Sequence, residues 1–223
     1  MLRILKRTIV LFSVFTISAW SLTSMEIRTR LASQPGFASD SLEVSSRITL
    51  EMPGVKQVMK TYSVSKGPGK YLTEFENSLM HQRTIYSGDK IKVMDIQAGT
   101  SQVTSSASAV VDSLSKVGAS ATSPSPMDTG SWSEPVFDGG NLYKLVAGSS
   151  ELYWDNLVGR FVGMRIVAAD GVVELSWEYT TTTPRRPLRS TTVITRNGVR
   201  SSTTVEYLVW QSSAKFPDRF FVF

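Results

Sequence analysis

Side chains that commonly carry catalysis are sparse in this 223-residue sequence, and they lack the spacing that catalysis needs. The sequence has no cysteine and one histidine, His81. A zinc site would therefore have to take its remaining ligands from acidic residues alone. Ser113 and Lys116 have a bare Ser-x-x-Lys spacing without its partner motifs, and no Gly-x-Ser-x-Gly elbow or phosphate loop stands out. We expect no enzymatic activity, no catalytic residue, no metal and no cofactor.

A different chemistry, the binding of apolar molecules, is indicated by KTYSVSKGPGKYLTEFENS at residues 60–78. The stretch alternates before and after a Lys-Gly-Pro-Gly-Lys turn, which is typical of a hairpin. Tyr62 and Val64 share one face of the first strand, and Tyr71 and Phe75 share one face of the second strand. With Ile91 and Val93 of the next hairpin, these residues are our candidates for the wall of an apolar cavity. The alternative is that the same face is ordinary core.

The elements that must position these residues are mostly strands. From Leu42 onward the apolar period is close to two, and Thr and Val dominate the runs. Hairpins are predicted around Ser87-Gly88-Asp89, Asp170-Gly171 and Asn197-Gly198, the last being the strongest turn signal in the chain. Two stretches, 25–38 and 105–118, have weak helical spacing.

This layout predicts a mainly β (α+β) fold made of one long antiparallel sheet. Long twisted sheets curl, and the two predicted helices must cover some apolar face. We therefore expect a half-barrel whose concave face is covered by helices that leave a cavity between them and the sheet.

The N-terminus has the pattern of a secretion signal. MLRILKRT, residues 1–8, carries three cations and no acid, and the apolar run IVLFSVFTISAWSL follows it. We predict a signal peptide over residues 1–21, cleaved as late as 24, and one domain over 25–223. The alternative is an uncleaved anchor, although the run is shorter than the ~20 residues a span needs. Cleavage would lower the net charge from +5 to +2, because the signal holds three basic residues and no acid. That weakens a nucleic-acid-binding interpretation.

Three stretches carry a resemblance to a known family: TYSVSKGPGKYLTEF, IYSGDKIKVMDI and the closing AKFPDRFFVF. Together they resemble the periplasmic outer-membrane lipoprotein carriers and lipoprotein-sorting proteins, the LolA/LolB-like half-barrel family. Family members usually have an arginine before the Pro turn, where this chain has Lys66, and their hairpin has Asp-Gly where this chain has Gly88-Asp89. Lys66 is our candidate for the corresponding latch or entrance residue, although lysine lacks the bidentate fork of arginine.

The resemblance implies a monomeric periplasmic carrier that acts as a chaperone in lipoprotein transport. Acyl chains of a lipoprotein, or another lipid, would be received from an inner-membrane release complex and passed to an outer-membrane receptor. Two alternatives stay open at the level of sequence. One is a lipid-sensing periplasmic regulator of the same fold, and the other is a β-sandwich envelope structural or adhesion protein without a lipid site.

Overall fold

The computed structural model describes residues 22–33, 41–67, 69–105, 131–182, 185–212 and 215–223. Its elements are α1 (Ser24–Ser33), β1 (Ser41–Met52), β2 (Val55–Lys66), β3 (Lys70–Glu76), β4 (His81–Ser87), β5 (Lys90–Asp95), β6 (Thr100–Ser105), β7 (Val136–Gly139), β8 (Leu142–Ala147), β9 (Ser150–Asp155), β10 (Arg160–Ala168), β11 (Gly171–Tyr179), β12 (Pro187–Arg196), β13 (Val199–Ser212) and a 3-10 helix (Asp218–Phe221). The predicted signal peptide, residues 1–21, lies outside the described residues. No helix in the described ranges is both long enough and apolar enough to cross a membrane.

All thirteen described strands belong to one antiparallel sheet. Their order is β6-β5-β4-β3-β2-β1-β13-β12-β11-β10-β9-β8-β7, so the first and last of the described strands pair at the centre. The sheet then runs outward in two meanders, and its edges, β6 and β7, do not pair with each other. The single long antiparallel sheet predicted from the sequence is confirmed, and it is open.

Helix α1 begins where the sequence supplies a capping box. The Thr23 hydroxyl accepts a hydrogen bond from the Glu26 backbone N–H, and the Glu26 carboxylate accepts one from the Thr23 N–H. This arrangement satisfies two of the N–H groups that a helix start leaves unpaired. The helix predicted over 25–38 is thus present as Ser24–Ser33, while residues 34–38 lie outside the described residues. The helix predicted over 105–118 also lies outside them, except for Ser105, which ends β6.

One face of the sheet, here called the groove face, carries α1 on its C-terminal half. Ile27 of the helix packs with Leu145, Leu152 and Trp154, and the exposed fraction of each of the four side chains is 0%. Leu145 of β8 pairs with Leu152 of β9, and paired residues on neighbouring strands share a face of the sheet. Because α1 covers only the β8–β10 region, the expectation that helices cover the concave face is not confirmed for the described part of the chain.

The opposite face, here called the strap face, carries residues 215–223, which we call the C-terminal strap. Phe221 is 2% exposed and packs against Val64, Leu72 and Ile85 of β2, β3 and β4. These three strand residues are cross-strand neighbours, so they form one row beneath the ring. The two meanders are therefore covered on opposite faces, the C-terminal one by α1 and the N-terminal one by the strap.

Candidate ligand-binding groove

A groove of about 260 Å³ lies on the groove face over the central strands. It crosses β13, β1, β2, β3 and β4, beside the region that α1 covers. Its lining residues are Leu42, Val44, Ser46, Ile48, Thr61, Ser63, Val64, Ser65, Tyr71, Leu72, Thr73, Phe75, Thr84, Tyr86, Val205, Tyr207 and Trp210.

The floor of the groove is low because the residues there are small. Ser63 pairs with Val44 on one side and Thr73 on the other, and Thr73 pairs with Thr84. The hydroxyl groups of Ser46 and Thr61 hydrogen-bond each other at 2.6 Å. That contact satisfies Ser46, which is only 4% exposed. The serine and threonine floor is thus a shallow surface whose methyl and methylene groups remain available for apolar contact.

Aromatic pairs rise on both sides of this floor. The rings of Tyr71 and Tyr86 lie 5.8 Å apart on β3 and β4. Across β1 and β2, the rings of Tyr207 and Trp210 meet edge to face at 5.4 Å on β13. Aromatic pairs at such separations favour each other beyond the area they bury. Large side chains flanking small ones therefore explain why the sheet has a groove at this place.

The lining of the groove combines apolar side chains with the hydroxyl groups of Ser, Thr and Tyr. None of its lining residues carries a charge. Among the described residues, no group of three or more His, Asp or Glu is placed to hold a metal ion. A flexible acyl chain would gain about 0.8 kcal/mol for each methylene it buries there.

Four of the six predicted cavity residues share the groove face. Tyr71 and Phe75 line the groove. Ile91 pairs with Tyr86, and Val93 pairs with Thr84, so both extend the same face by one strand. Ile91 is 3% exposed. These two residues lie beside the groove and not in its lining.

The other two, Tyr62 and Val64, point to the opposite face. Tyr62 pairs with Glu74, and Val64 pairs with Leu72, whereas Tyr71 pairs with Ser65. Val64 touches the groove lining but packs in the cluster under the strap. Placing Tyr62 and Val64 on one wall with Tyr71 and Phe75 is therefore corrected, because the three-residue connection 67–69 sets a register that separates them.

Lys66, the predicted latch, contacts the C-terminal strap. Its Nζ donates to the Phe216 carbonyl oxygen at 2.8 Å and to Asp218 Oδ1 at 2.9 Å. Lys70 Nζ donates to the same Asp218 oxygen at 2.9 Å. These two lysines lower the pKa of Asp218 to about 2. A role for Lys66 at a cavity entrance stays a prediction, and its described partners belong to the strap.

Sequence reasoning missed the residues on the far side of the groove, notably Val44, Tyr207 and Trp210. They come from β1 and β13, which are more than 150 residues apart in the chain and pair only in the folded sheet. Their alternation with polar residues was visible, but period two does not reveal which distant strand is the neighbour. Strands β7–β9 were also not predicted, although Tyr143 and Leu145 alternate between glycine-containing turns.

Comparison with known proteins gives similarities in fold. No protein-family model matches the sequence, and no curated protein matches it at a significant level. A LolA superfamily protein from Nitrosomonas europaea is 15% identical with a TM-score of 0.49, over 91% of this chain and 98% of the other. A domain assigned as an outer membrane lipoprotein-sorting protein from Vibrio parahaemolyticus is 14% identical, with a TM-score of 0.46 over 88% and 94%. A DUF1329 family protein from Desulfovibrio piger is 11% identical, with a TM-score of 0.46 over 88% and 95%. At these identities the likeness concerns the fold alone.

Proposed function

We propose that this protein is a non-catalytic, exported carrier that holds an acyl chain in the groove. The observation that carries the proposal is the groove itself, with its uncharged lining, its small-residue floor and an aromatic pair on either side. One chain of a dozen carbons would contribute several kcal/mol after the entropic cost of binding.

Within this proposal the cargo is a lipoprotein or another lipid, and the compartment is the periplasm. The sequence resemblance supplies the finer steps, which are receipt from an inner-membrane release complex and delivery to an outer-membrane receptor. A passive carrier has no energy source of its own, so delivery requires a receptor that binds the acyl chain more tightly. A lipid-sensing regulator would use the same groove, whereas the single sheet of the described residues gives no support to a two-sheet sandwich.

The proposal is tested by filling the groove with a large side chain and measuring the binding of a fatty acid. Ser63→Trp puts a large ring onto the floor between Val44 and Thr73, while Val58→Trp puts the same ring on the opposite face of the same strand. Val58 is 45% exposed, so its variant is a matched control for the added tryptophan. We expect the wild type and Val58→Trp to bind a fluorescent fatty acid, and Ser63→Trp to lose at least tenfold in affinity.

The natural ligand is identified by organic extraction of protein purified from the periplasm, followed by mass spectrometry. Stoichiometric acyl lipid supports the proposal. A clean extract together with no uptake of the fluorescent fatty acid would overturn it. Photocrosslinkers at positions 71 and 75 then distinguish lipoprotein cargo from free lipid. A separate transfer assay distinguishes a carrier from a regulator, because only a carrier passes its lipid on to acceptor membranes.

A further inference from the structure

A second cavity, of about 370 Å³, lies on the strap face and shares only Leu72 with the lining of the groove. It is bounded on one side by the strap and on the other by strands β2 to β5. Two rows of cross-strand neighbours form its base. One row runs Leu72–Ile85–Lys92 and the other runs Tyr62–Glu74–Arg83–Met94. Its volume falls within the range of about 300–1,000 Å³ that small-molecule sites occupy.

Much of the cavity wall is apolar. Leu72 and Ile85 are 4% and 6% exposed, and Met94 packs against the same cluster. From the strap, Phe220 and Val222 line the cavity while remaining 40% and 64% exposed. Apolar surface that is left open beside a packed cluster is surface that a ligand can remove from water.

The charges in this cavity are unbalanced in favour of cations. Glu74 is the one acid in the lining, and its two oxygens are already used, by His81 at 2.5 Å and by Arg83 Nε at 2.9 Å. Burial alone would raise the pKa of Glu74, but these hydrogen bonds lower it, so the carboxylate stays ionised and paired.

Two further cations line the same cavity, Lys92 from β5 and Arg219 from the strap. Within the described residues neither makes an ion pair or a side-chain hydrogen bond. Two cations beside an apolar wall are the complement of a molecule with one anionic end and one hydrocarbon end. Arginine in particular presents the donor geometry that a carboxylate accepts.

We propose that this strap-face cavity is a second binding site, for a small single-chain carboxylate. The carboxylate lies between Lys92 and Arg219, and the chain lies against Met94 and the open apolar surface of Phe220 and Val222. One wall belongs to the strap, so the bound ligand also ties the strap to the sheet. The site does not depend on the proposed function, because it lies on the other face and uses none of the aromatic groove walls.

The experiment uses decanoate as the probe and the methyl group of Met94 as the reporter. Protein labelled at its methionine methyls is titrated with decanoate in the Ser63→Trp background, where the groove is filled. The Met94 signal is assigned from its absence in Met94→Leu. We expect a saturable shift of this signal, with the affinity reduced at least tenfold in Lys92→Gln/Arg219→Gln. The affinity of the unsubstituted cavity should also fall with added salt, because exposed cations are screened.

Decanol, which has the same chain without the charge, is the ligand control. A matched protein control is Lys56→Gln/Arg200→Gln, which removes two exposed cations on β2 and β13 that do not line the cavity. The proposal is overturned if the Met94 signal does not shift even at the highest decanoate concentration of the titration. It is equally overturned if decanol binds as well as decanoate, or if the Lys92/Arg219 pair and the control pair behave alike. Circular dichroism establishes that each variant is folded before it is titrated.

Discussion

Phe221→Ala tests whether the C-terminal strap is an integral part of the fold. The Phe221 side chain is 2% exposed and packs on Val64, Leu72 and Ile85. Removal of a phenylalanine from a protein core costs about 3–5 kcal/mol of unfolding free energy, because burial is lost and a cavity is left. The neighbouring side chains of Phe220, Val222 and Phe223 are 40%, 64% and 40% exposed, so the strap can lift and let water relieve part of the cavity. We therefore expect a loss near the lower end, about 3 kcal/mol.

The assay is urea unfolding followed by circular dichroism, with Phe223→Ala as the matched control. Phe223 is 40% exposed and lies in the same strap, so its truncation should change the unfolding free energy by less than about 1 kcal/mol. Phe221→Leu should recover most of the loss, since it keeps an apolar side chain over the same row.

The reasoning about the strap fails if Phe221→Ala unfolds within about 0.5 kcal/mol of the wild type, or no earlier than Phe223→Ala. A second outcome is informative in another way. If the slope of unfolding free energy against urea falls while the midpoint holds, the strap already detaches in the native state of the variant and less surface is exposed on unfolding.

Three further predictions concern the turns and the charges. At Gly171 a Cβ would lie 2.0 Å from the Thr195 carbonyl oxygen, so Gly171→Ala should lower the free energy of urea unfolding by about 1–3 kcal/mol. The control is Gly163→Ala, whose Cβ has its nearest contact at 3.4 Å and which should lower it by less than about 1 kcal/mol. Asp218→Asn should remove a pH-dependent part of the stability, because two lysines lower the pKa of Asp218 from 3.8 to about 2. The wild type should therefore be more stable than the variant above pH 4, and this difference should disappear as the pH falls through 2. Melting temperatures of both proteins across this pH range measure it. Glu74→Gln should cost about 1–3 kcal/mol in chemical unfolding, because the carboxylate is 19% exposed and accepts hydrogen bonds from two partners.

Each of these has an outcome that contradicts it. Equal stability of the two glycine variants would show that the backbone at Gly171 shifts freely. A melting-temperature difference between wild type and Asp218→Asn that stays constant from pH 6 to pH 2 would mean that the lysines do not hold this carboxylate. For Glu74→Gln, the contradicting result is an unfolding midpoint unchanged at neutral pH and low salt.

Local turn signals predicted the hairpins at residues 60–78, 87–89, 170–171 and 197–198. Asn197 and Gly198 have φ values of 48° and 78°, which is the left-handed conformation that an Asn-Gly hairpin turn requires. The capping contact of α1 between Thr23 and Glu26 is equally local, although it was not predicted from the sequence. Such features involve neighbours along the chain, so residue type and spacing are sufficient to predict them.

The faces of the strands were decided by register, which the sequence left open. Tyr62 and Tyr71 stand on opposite faces because the connection between their strands has an odd number of residues, so that Ser65 pairs with Tyr71 and Tyr62 pairs with Glu74. A connection with one residue more or fewer would have brought the two tyrosines to the same face. Alternation shows that each strand has two faces, but it does not show how many residues belong to the connection between two strands.

Residue pattern alone predicted an antiparallel β protein in which Tyr71 and Phe75 share one face of a strand, as core or as a cavity wall. The folded structure adds that the first and last described strands meet at the centre of the sheet, with Val44 paired to Trp210. It also decided that the PDRFF segment at the C-terminus covers the strap face, through Phe221 and Asp218. The physical reason is distance along the chain: these contacts join residues about 150 positions apart, and local periodicity is the same whichever partner a strand finally pairs with.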